Sequence, residues 1–367
     1  MAISKEHEYG RKPVVGITHG DFNGINYEII LKTLMEPKLL ELFTPVLYGS
    51  SKIVSYFRKV LNLNDANVNF NLLRKAEGAP PKRLHIINVT EQDIKIEAGE
   101  SSGLAGQLAL SALDMSVEDL KNHHIDVLVT APINKKNIQS DKFAFKGHTE
   151  YLASKFNTSN YLMMMVARDF RMGFVTGHAA LKDVSAMLTV DQIVRKLIVM
   201  NNSLIRDFGI VKPKIALLGL NPHSGDEGVI GREEMDVIIP AIKKAQEENI
   251  LCFGPYPADG FFGTLKYRQF DGVMAMYHDQ GMIAFKIIAF DEGVNFTAGL
   301  PIIRTSPAHG PAYEIAGKNM ASSDSFRNAL FVACDIFHNR NQFDAMHANP
   351  LKIGTYKAAS DDSDNEK

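Results

Sequence analysis

The chain has no tryptophan and only two cysteines, Cys252 and Cys334, in 367 residues. Two isolated thiols do not make a disulfide framework, so a reduced, cytoplasmic setting is expected. Positive charge is not in excess either: 40 Lys and Arg stand against 42 Asp and Glu, a formal net charge of -2. A nucleic-acid binder shows a basic excess or stripe, and none is visible. No apolar run approaches the roughly 18 residues that a membrane helix needs. The opening MAISKEHEYGRK is polar and lacks the apolar core of a signal peptide. The first glycine-rich loop, GITHGDFNGINYEII, carries Gly16, Gly20 and Gly24 but matches neither a Walker motif nor the G-x-G-x-x-G dinucleotide fingerprint. There is no internal repeat and no Pro- or Ser-rich linker, so a lobe boundary is not legible from composition.

What is present is an alternation of short apolar runs and longer amphipathic segments, the α/β signature. PVVGIT (13–18), LHIINV (84–89) and IDVLVTAP (125–132) read as buried strands. YLMMMVARDFRMGFVTGH (161–178) reads as two strands around a polar turn, its methionines filling core. KIALLGLNPH and DGVMAMYHDQG repeat a strand followed by a polar tip, and GREEMDVIIPAIKKAQEENI (231–250) has helical periodicity with acids in its first turn.

Four apolar runs end in chemically capable residues: Thr18-His19-Gly20-Asp21, Thr176-Gly177-His178, Asn221-Pro222-His223 and Tyr277-His278-Asp279-Gln280. In open α/β sheets ligands bind beyond the carboxyl ends of strands, where distant segments converge. A lone histidine is more often a surface or satisfied core residue. Three at strand ends, His178, His223 and His278, form a candidate divalent-metal set that leaves positions open for substrate. In FKGHTEYLA (145–153), His148 and Thr149 stand at a helix start, where Thr149 can cap the helix or both can meet an anion. Lys286, inside the apolar MIAFKIIAF, either snorkels to solvent or faces a polar pocket. Asp279 can orient a ligand or exchange a proton. Arg304, with Asn295 nearby in VNFTAGLPIIRTSPAHGPAYEIAGK (294–318), suits a bidentate grip on phosphate or carboxylate, against the alternative of a surface ion pair.

Taken in order, TAPINKK, GHTEYLA, VTGH, GLNPHSGDEG with GREE, GPYPADGFF, MYHDQG and GLPIIRTSPAHGPAYEIAGK resemble the motif series of the 4-hydroxythreonine-4-phosphate dehydrogenase family of vitamin B6 biosynthesis. The resemblance runs from about Pro13 past Lys318. It implies a fold similar to isocitrate and isopropylmalate dehydrogenases: two α/β/α lobes with the active site in the cleft between them. The lobes are placed at 1–150 with 305–357, and at 151–304, leaving 358–367 as a disordered acidic tail. It further implies a homodimer whose active sites are shared between subunits, and NAD or NADP bound without a Rossmann fingerprint. HGPAYEIAGK would be the cofactor loop, with His309, Gly310 and Gly317 contacting the dinucleotide.

By the same resemblance His178, His223 and His278 would hold the metal, zinc first, with magnesium or cobalt as alternatives. His148, Thr149, Lys286, Asn295 and Arg304 would contact substrate, and Asp259, Asp279 and Lys286 are the acid/base or orienting candidates. The implied reaction is oxidation of 4-phosphooxy-L-threonine with decarboxylation to 3-amino-2-oxopropyl phosphate. The alternatives are a dehydrogenase of the same family acting on another phosphorylated four-carbon hydroxy acid, or a non-catalytic metal- or metabolite-binding protein. The chain departs from the family pattern in THGDFNGINYEI, VTGHAAL, SPAHGPA and Gly260, without losing an expected ligand.

Overall fold

A computed structural model describes residues 11–63 and 69–349. The opening decapeptide and the acidic tail 358–367, with the stretch 350–357 assigned to the first lobe, lie outside the described residues. The strands are β1 (Val14–Thr18), β2 (Thr44–Gly49), β3 (Phe70–Leu73), β4 (Leu84–Asn88), β5 (Val127–Thr130), β6 (Leu162–Ala167), β7 (Phe170–Thr176), β8 (Lys214–Leu218), β9 (Leu251–Tyr256), β10 (Gly272–Tyr277), β11 (Val294–Ala298) and β12 (Ile303–Pro307). The helices are α1 (Asn26–Leu34), α2 (Ser51–Val60), α3 (Gly103–Lys121), α4 (His148–Lys155), α5 (Val184–Met187), α6 (Val190–Arg206), α7 (Ile239–Glu247), α8 (Ala258–Gly263), α9 (His278–Ala289) and α10 (Asp324–His347).

All the strands join one 12-stranded sheet in the order β3-β4-β2-β1-β5-β12-β11-β6-β7-β10-β8-β9. The alternation of strand and helix explains its parallel parts, because parallel neighbours need a long crossover. β3, β4, β2, β1, β5 and β12 pair in parallel on one side, and β7, β10, β8 and β9 on the other. Between them the tight β6–β7 hairpin and the β11 and β12 pairings are antiparallel, forming a seam. Strands such as β1, β5 and β8 are buried almost throughout, which is why they read as continuous apolar runs rather than alternating ones. The sheet is continuous across the seam. The division into lobes at 1–150 with 305–357 and at 151–304 is therefore kept as a proposal.

The expected α/β architecture is found, with three local differences. The segment from His278 does not stay a polar tip but starts α9 directly. GREEMDVII enters its helix through a π-type turn, Glu234–Ile238, before α7. Thr149 does not cap α4: the cap is Gly147, without a side-chain bond, and Thr149 sits inside the first turn. No described helix is long and apolar enough to cross a membrane.

Candidate active site

A cleft of about 310 Å³ opens where the antiparallel seam meets the carboxyl ends of β5, β7 and β10. It gathers residues from distant segments: Lys135 after β5, His148 to Glu150 on α4, His178 after β7, His278 and Lys286 on α9, Asn295 on β11 and Arg304 on β12. Three cationic side chains, Lys135, Lys286 and Arg304, face one carboxylate, Glu150. That charge excess suits an anionic guest.

Arg304 is the most constrained of these. Only 2% of it is exposed, which excludes the surface ion pair. Its Nε and Nη2 donate to Thr130 Oγ1 at 3.0 and 2.7 Å, and Nη1 reaches Thr297 Oγ1 at 3.4 Å. Among the described residues no carboxylate pairs with it, and burial pushes its pKa down to about 10. Glu150, the cleft's carboxylate, acts on it from beyond pairing distance and offsets that shift only in part, so this buried cation is costly unless a ligand brings a closer counter-ion. Arg304 Nη2 also lies 3.2 Å from His148 Nδ1. Guanidinium only donates, so Nδ1 accepts and His148 carries its proton on Nε2. That Nε2 is buried, borders the cleft and has no partner. Burial first, then the charges of Arg304 and Lys135, hold His148 well below its ordinary pKa, so the ring stays neutral. Arg304 thus brings its charge, and His148 an unsatisfied N–H, to one cleft. The Asn295 Oδ1 atom is a buried acceptor with no donor.

His178 and His278 face each other across the mouth, ring centres 6.0 Å apart. Two imidazoles on one divalent ion, with bonds of about 2.1 Å to nitrogen, hold their ring centres about 5–6 Å apart. Their tautomers agree with that use. His278 Nδ1 donates to Asp279 Oδ1 at 2.7 Å, and His178 Nε2 is met by the Lys135 ammonium, which only donates, so both Nε2 atoms are acceptors; His178 Nδ1 faces Glu150 Oε1 at 3.8 Å. Lys135 Nζ points at His178 Nε2 from 3.4 Å and would have to yield to a metal. His178 in turn holds the Glu150 carboxyl below its ordinary range.

His223 does not join this pair. It is exposed and does not line the cleft, and no three-ligand group assembles among the described residues. It heads five consecutive residues with left-handed backbone: His223 (φ 53°), Ser224 (φ 53°), Gly225 (φ 81°), Asp226 (φ 45°) and Glu227 (φ 54°). Each of the four with a side chain costs on the order of 1–2 kcal/mol in that conformation. The donor set of one chain therefore fits two-thirds of the expected metal site.

The remaining candidates are scattered. Asp259, on α8, is exposed and outside the cleft. Asp279 is engaged with His278. Thr149 Oγ1 lies 3.3 Å from Thr297 Oγ1 at the wall. His309 and Gly310 border the cleft, whereas Gly317 does not. His309 Nδ1 donates to the Gly310 carbonyl at 2.9 Å, so its buried, unpartnered Nε2 is an acceptor, a fit for a donor such as the carboxamide of a nicotinamide. Sequence reasoning missed Lys135, Glu150, Thr130 and Thr297. Lys135 and Glu150 sit inside TAPINKK and GHTEYLA, and their nearness to His178 was the missing signal. The two threonines are ordinary strand residues until folding puts Arg304 beside them.

The chain matches the family described as pyridoxal phosphate biosynthetic protein PdxA over residues 41–333. It is 48% identical to a 4-hydroxythreonine-4-phosphate dehydrogenase of Bacteroides thetaiotaomicron, covering 96% of each chain. A relative from Oceanobacillus iheyensis, provisionally named a D-threonate 4-phosphate dehydrogenase, is 38% identical over 89% of this chain and 98% of its own. The crystal structure of 4-hydroxythreonine-4-phosphate dehydrogenase from Klebsiella pneumoniae superposes with a TM-score of 0.76 at 31% identity, covering 89% of this chain and 98% of that one.

Proposed function

The chain belongs to the PdxA family, and from that premise we propose that it oxidises 4-phosphooxy-L-threonine with NAD or NADP and a divalent metal, releasing carbon dioxide and 3-amino-2-oxopropyl phosphate. The observation that carries this reading is Arg304: a buried guanidinium without a carboxylate partner, beside a neutral His148 whose Nε2–H is unsatisfied. This is a preformed seat for one anionic group of a doubly anionic substrate. Lys135 and Lys286 line the same cleft and supply charge for the other. Thr130 and Thr297 fix the guanidinium plane, so the substrate is oriented as well as attracted.

His178 and His278, with a third ligand, would hold the divalent metal, which would supply Lewis acidity toward the reacting hydroxyl, and His309 would border the nicotinamide, which would supply the hydride acceptor. Asp279, accepting from His278 Nδ1, and Lys135, donating to His178 Nε2, keep the two imidazoles in the tautomer with an unprotonated Nε2. Of the three acid/base candidates Lys286 lines the cleft, whereas Asp279 is bonded to His278 and Asp259 lies outside, which supports Lys286 as the group that meets the reacting hydroxyl. The oxidised product is a β-keto acid, which loses carbon dioxide because the resulting enolate is delocalised.

His223 reaches a site only in a homodimer, with the partner's loop completing the cleft. Supporting this, α9 beside the cleft exposes an apolar face, with Ile283 62%, Ile287 81% and Phe290 70% exposed. Such a patch suits an interface. The second reading is oxidation of D-threonate 4-phosphate, favoured by the 38% identical relative. The two substrates share phosphate and carboxylate and differ at C2, ammonium against hydroxyl. Steady-state turnover of both with each nicotinamide cofactor decides. A higher kcat/KM for the amino substrate supports the first reading, and a higher one for the hydroxy acid replaces it.

A further inference from the structure

We infer that Glu234 is a positioning residue that, with Asn221, holds the His223 loop in its left-handed form and so sets the affinity of His223 for metal. The inference rests on the reading of His223 as a ligand. Glu234 is 1% exposed and lies beyond the loop, at the start of the π-type turn. Its Oε1 accepts the backbone N–H groups of Leu220 and Asn221 at 2.6 and 2.7 Å, where the chain enters the loop. Its Oε2 accepts from Asn221 Nδ2 at 2.9 Å. The middle of the loop closes over the same carboxylate: a Cβ added at Gly225 would stand 2.6 Å from Oε2, and one at Gly219 would stand 3.1 Å from Oε1. The entry of the turn is therefore hydrogen-bonded to one buried group, and its midpoint packs closely against it.

The clamp also reaches the segment that follows His178. Asn221 Nδ2 donates to Glu233 Oε2 at 2.8 Å, and Ser185 Oγ donates to Glu233 Oε1 at 2.7 Å. Ser185 lies on α5, in the segment that follows His178. A run of five left-handed residues does not persist without such restraint; without it, the side-chain-bearing residues relax to ordinary backbone. His223 itself is exposed. Its direction is thus governed by the loop, and the loop by Glu234 and Asn221. Groups that orient a ligand from behind typically change metal affinity 10–100-fold when removed.

The test uses metal-free full-length protein titrated with Co2+ and followed by visible absorption, alongside amide hydrogen exchange of the apo form. Glu234→Gln is compared with Asn221→Ala, His223→Ala and the parent. The expectation is that Glu234→Gln and Asn221→Ala each weaken Co2+ binding about 10–100-fold, with faster exchange confined to residues 219–230. A merely structural role would spread faster exchange over the sheet and leave Co2+ affinity of the folded fraction unchanged, which overturns the inference. If His223→Ala weakens Co2+ binding but Glu234→Gln and Asn221→Ala do not, the clamp is wrong and the ligand reading stands. If His223→Ala binds Co2+ as the parent does, the ligand reading fails and takes the clamp with it. Should Glu234→Gln not fold, Asn221→Ala carries the test alone.

Discussion

Replacing Arg304 with methionine separates a binding cation from a structural one, because the two predict opposite stability changes. The guanidinium donates to Thr130, His148 and, at 3.4 Å, Thr297, but meets no carboxylate. Methionine has similar length and no charge. In the ligand-free protein the substitution removes a desolvated cation, so unfolding free energy should hold or rise. Removing one member of a buried ion pair would instead cost about 3–5 kcal/mol. With substrate bound, the loss falls on the anion, and truncating one partner of a buried, hydrogen-bonded charge pair costs about 2–5 kcal/mol. At 1.4 kcal/mol per tenfold, kcat/KM for the phosphorylated substrate should drop about 30-fold or more. Arg304→Lys keeps the charge but loses the planar fork, and should fall about 10- to 100-fold from hydrogen bonds worth roughly 1.5–3 kcal/mol. The KM for the nicotinamide cofactor should hardly move. Denaturant unfolding and steady-state kinetics on both variants give the answer. A methionine variant destabilised by several kcal/mol with unchanged kinetics would refute the reasoning.

Further expectations concern protons, the imidazole pair and the dimer. Burial pushes His19 down to about 4 from an ordinary 6.5, and His148 and His309 shift the same way. Between the folded and unfolded values the unfolded chain holds more protons, so this stability is complete above about pH 6.5 and lost as pH falls through 4; for His19 it amounts to about 3 kcal/mol. Thermal midpoints from pH 7 to 4 should fall less steeply in His19→Phe than in the parent, and parallel slopes would contradict the assignment. Asp279→Asn should weaken metal binding about 10- to 100-fold by loosening the His278 tautomer, read by calorimetric titration with zinc. Because His178 and His278 share one cleft while His223 stands outside it, inactive His178→Ala and His223→Ala proteins should regain turnover when refolded together. His178→Ala with His278→Ala should not, and rescue of that second pair would place them on different chains.

Much of the fold was legible because buried parallel strands leave unbroken apolar runs, as in β1, β5, β8 and β10, and because the Arg168 turn marks the β6–β7 hairpin. The continuous seam was not legible: antiparallel pairing of β11 with β6 depends on long-range placement, which leaves no local pattern. Thr149 illustrates a local rule that lost, since a threonine at a helix start resembles a cap while Gly147 takes that place and Thr149 turns to Thr297. At the site, strand-end histidines and Arg304 could be singled out by residue type. Their partners could not, because Thr130, Glu150 and Lys135 acquire meaning only from distance. Glu234 looked like one acid among several in a helix start until its carboxylate was found buried under the His223 loop.

The most direct test of the central claim is formation of reduced nicotinamide from 4-phosphooxy-L-threonine by the purified protein, before chelation, after exhaustive chelation and after return of zinc, magnesium or cobalt. The account predicts substrate-dependent turnover that chelation abolishes and at least one of these ions restores, with carbon dioxide released in step. Turnover that is indifferent to chelation, or the absence of any reduced nicotinamide with metal, cofactor and phosphorylated substrate all present, would contradict it.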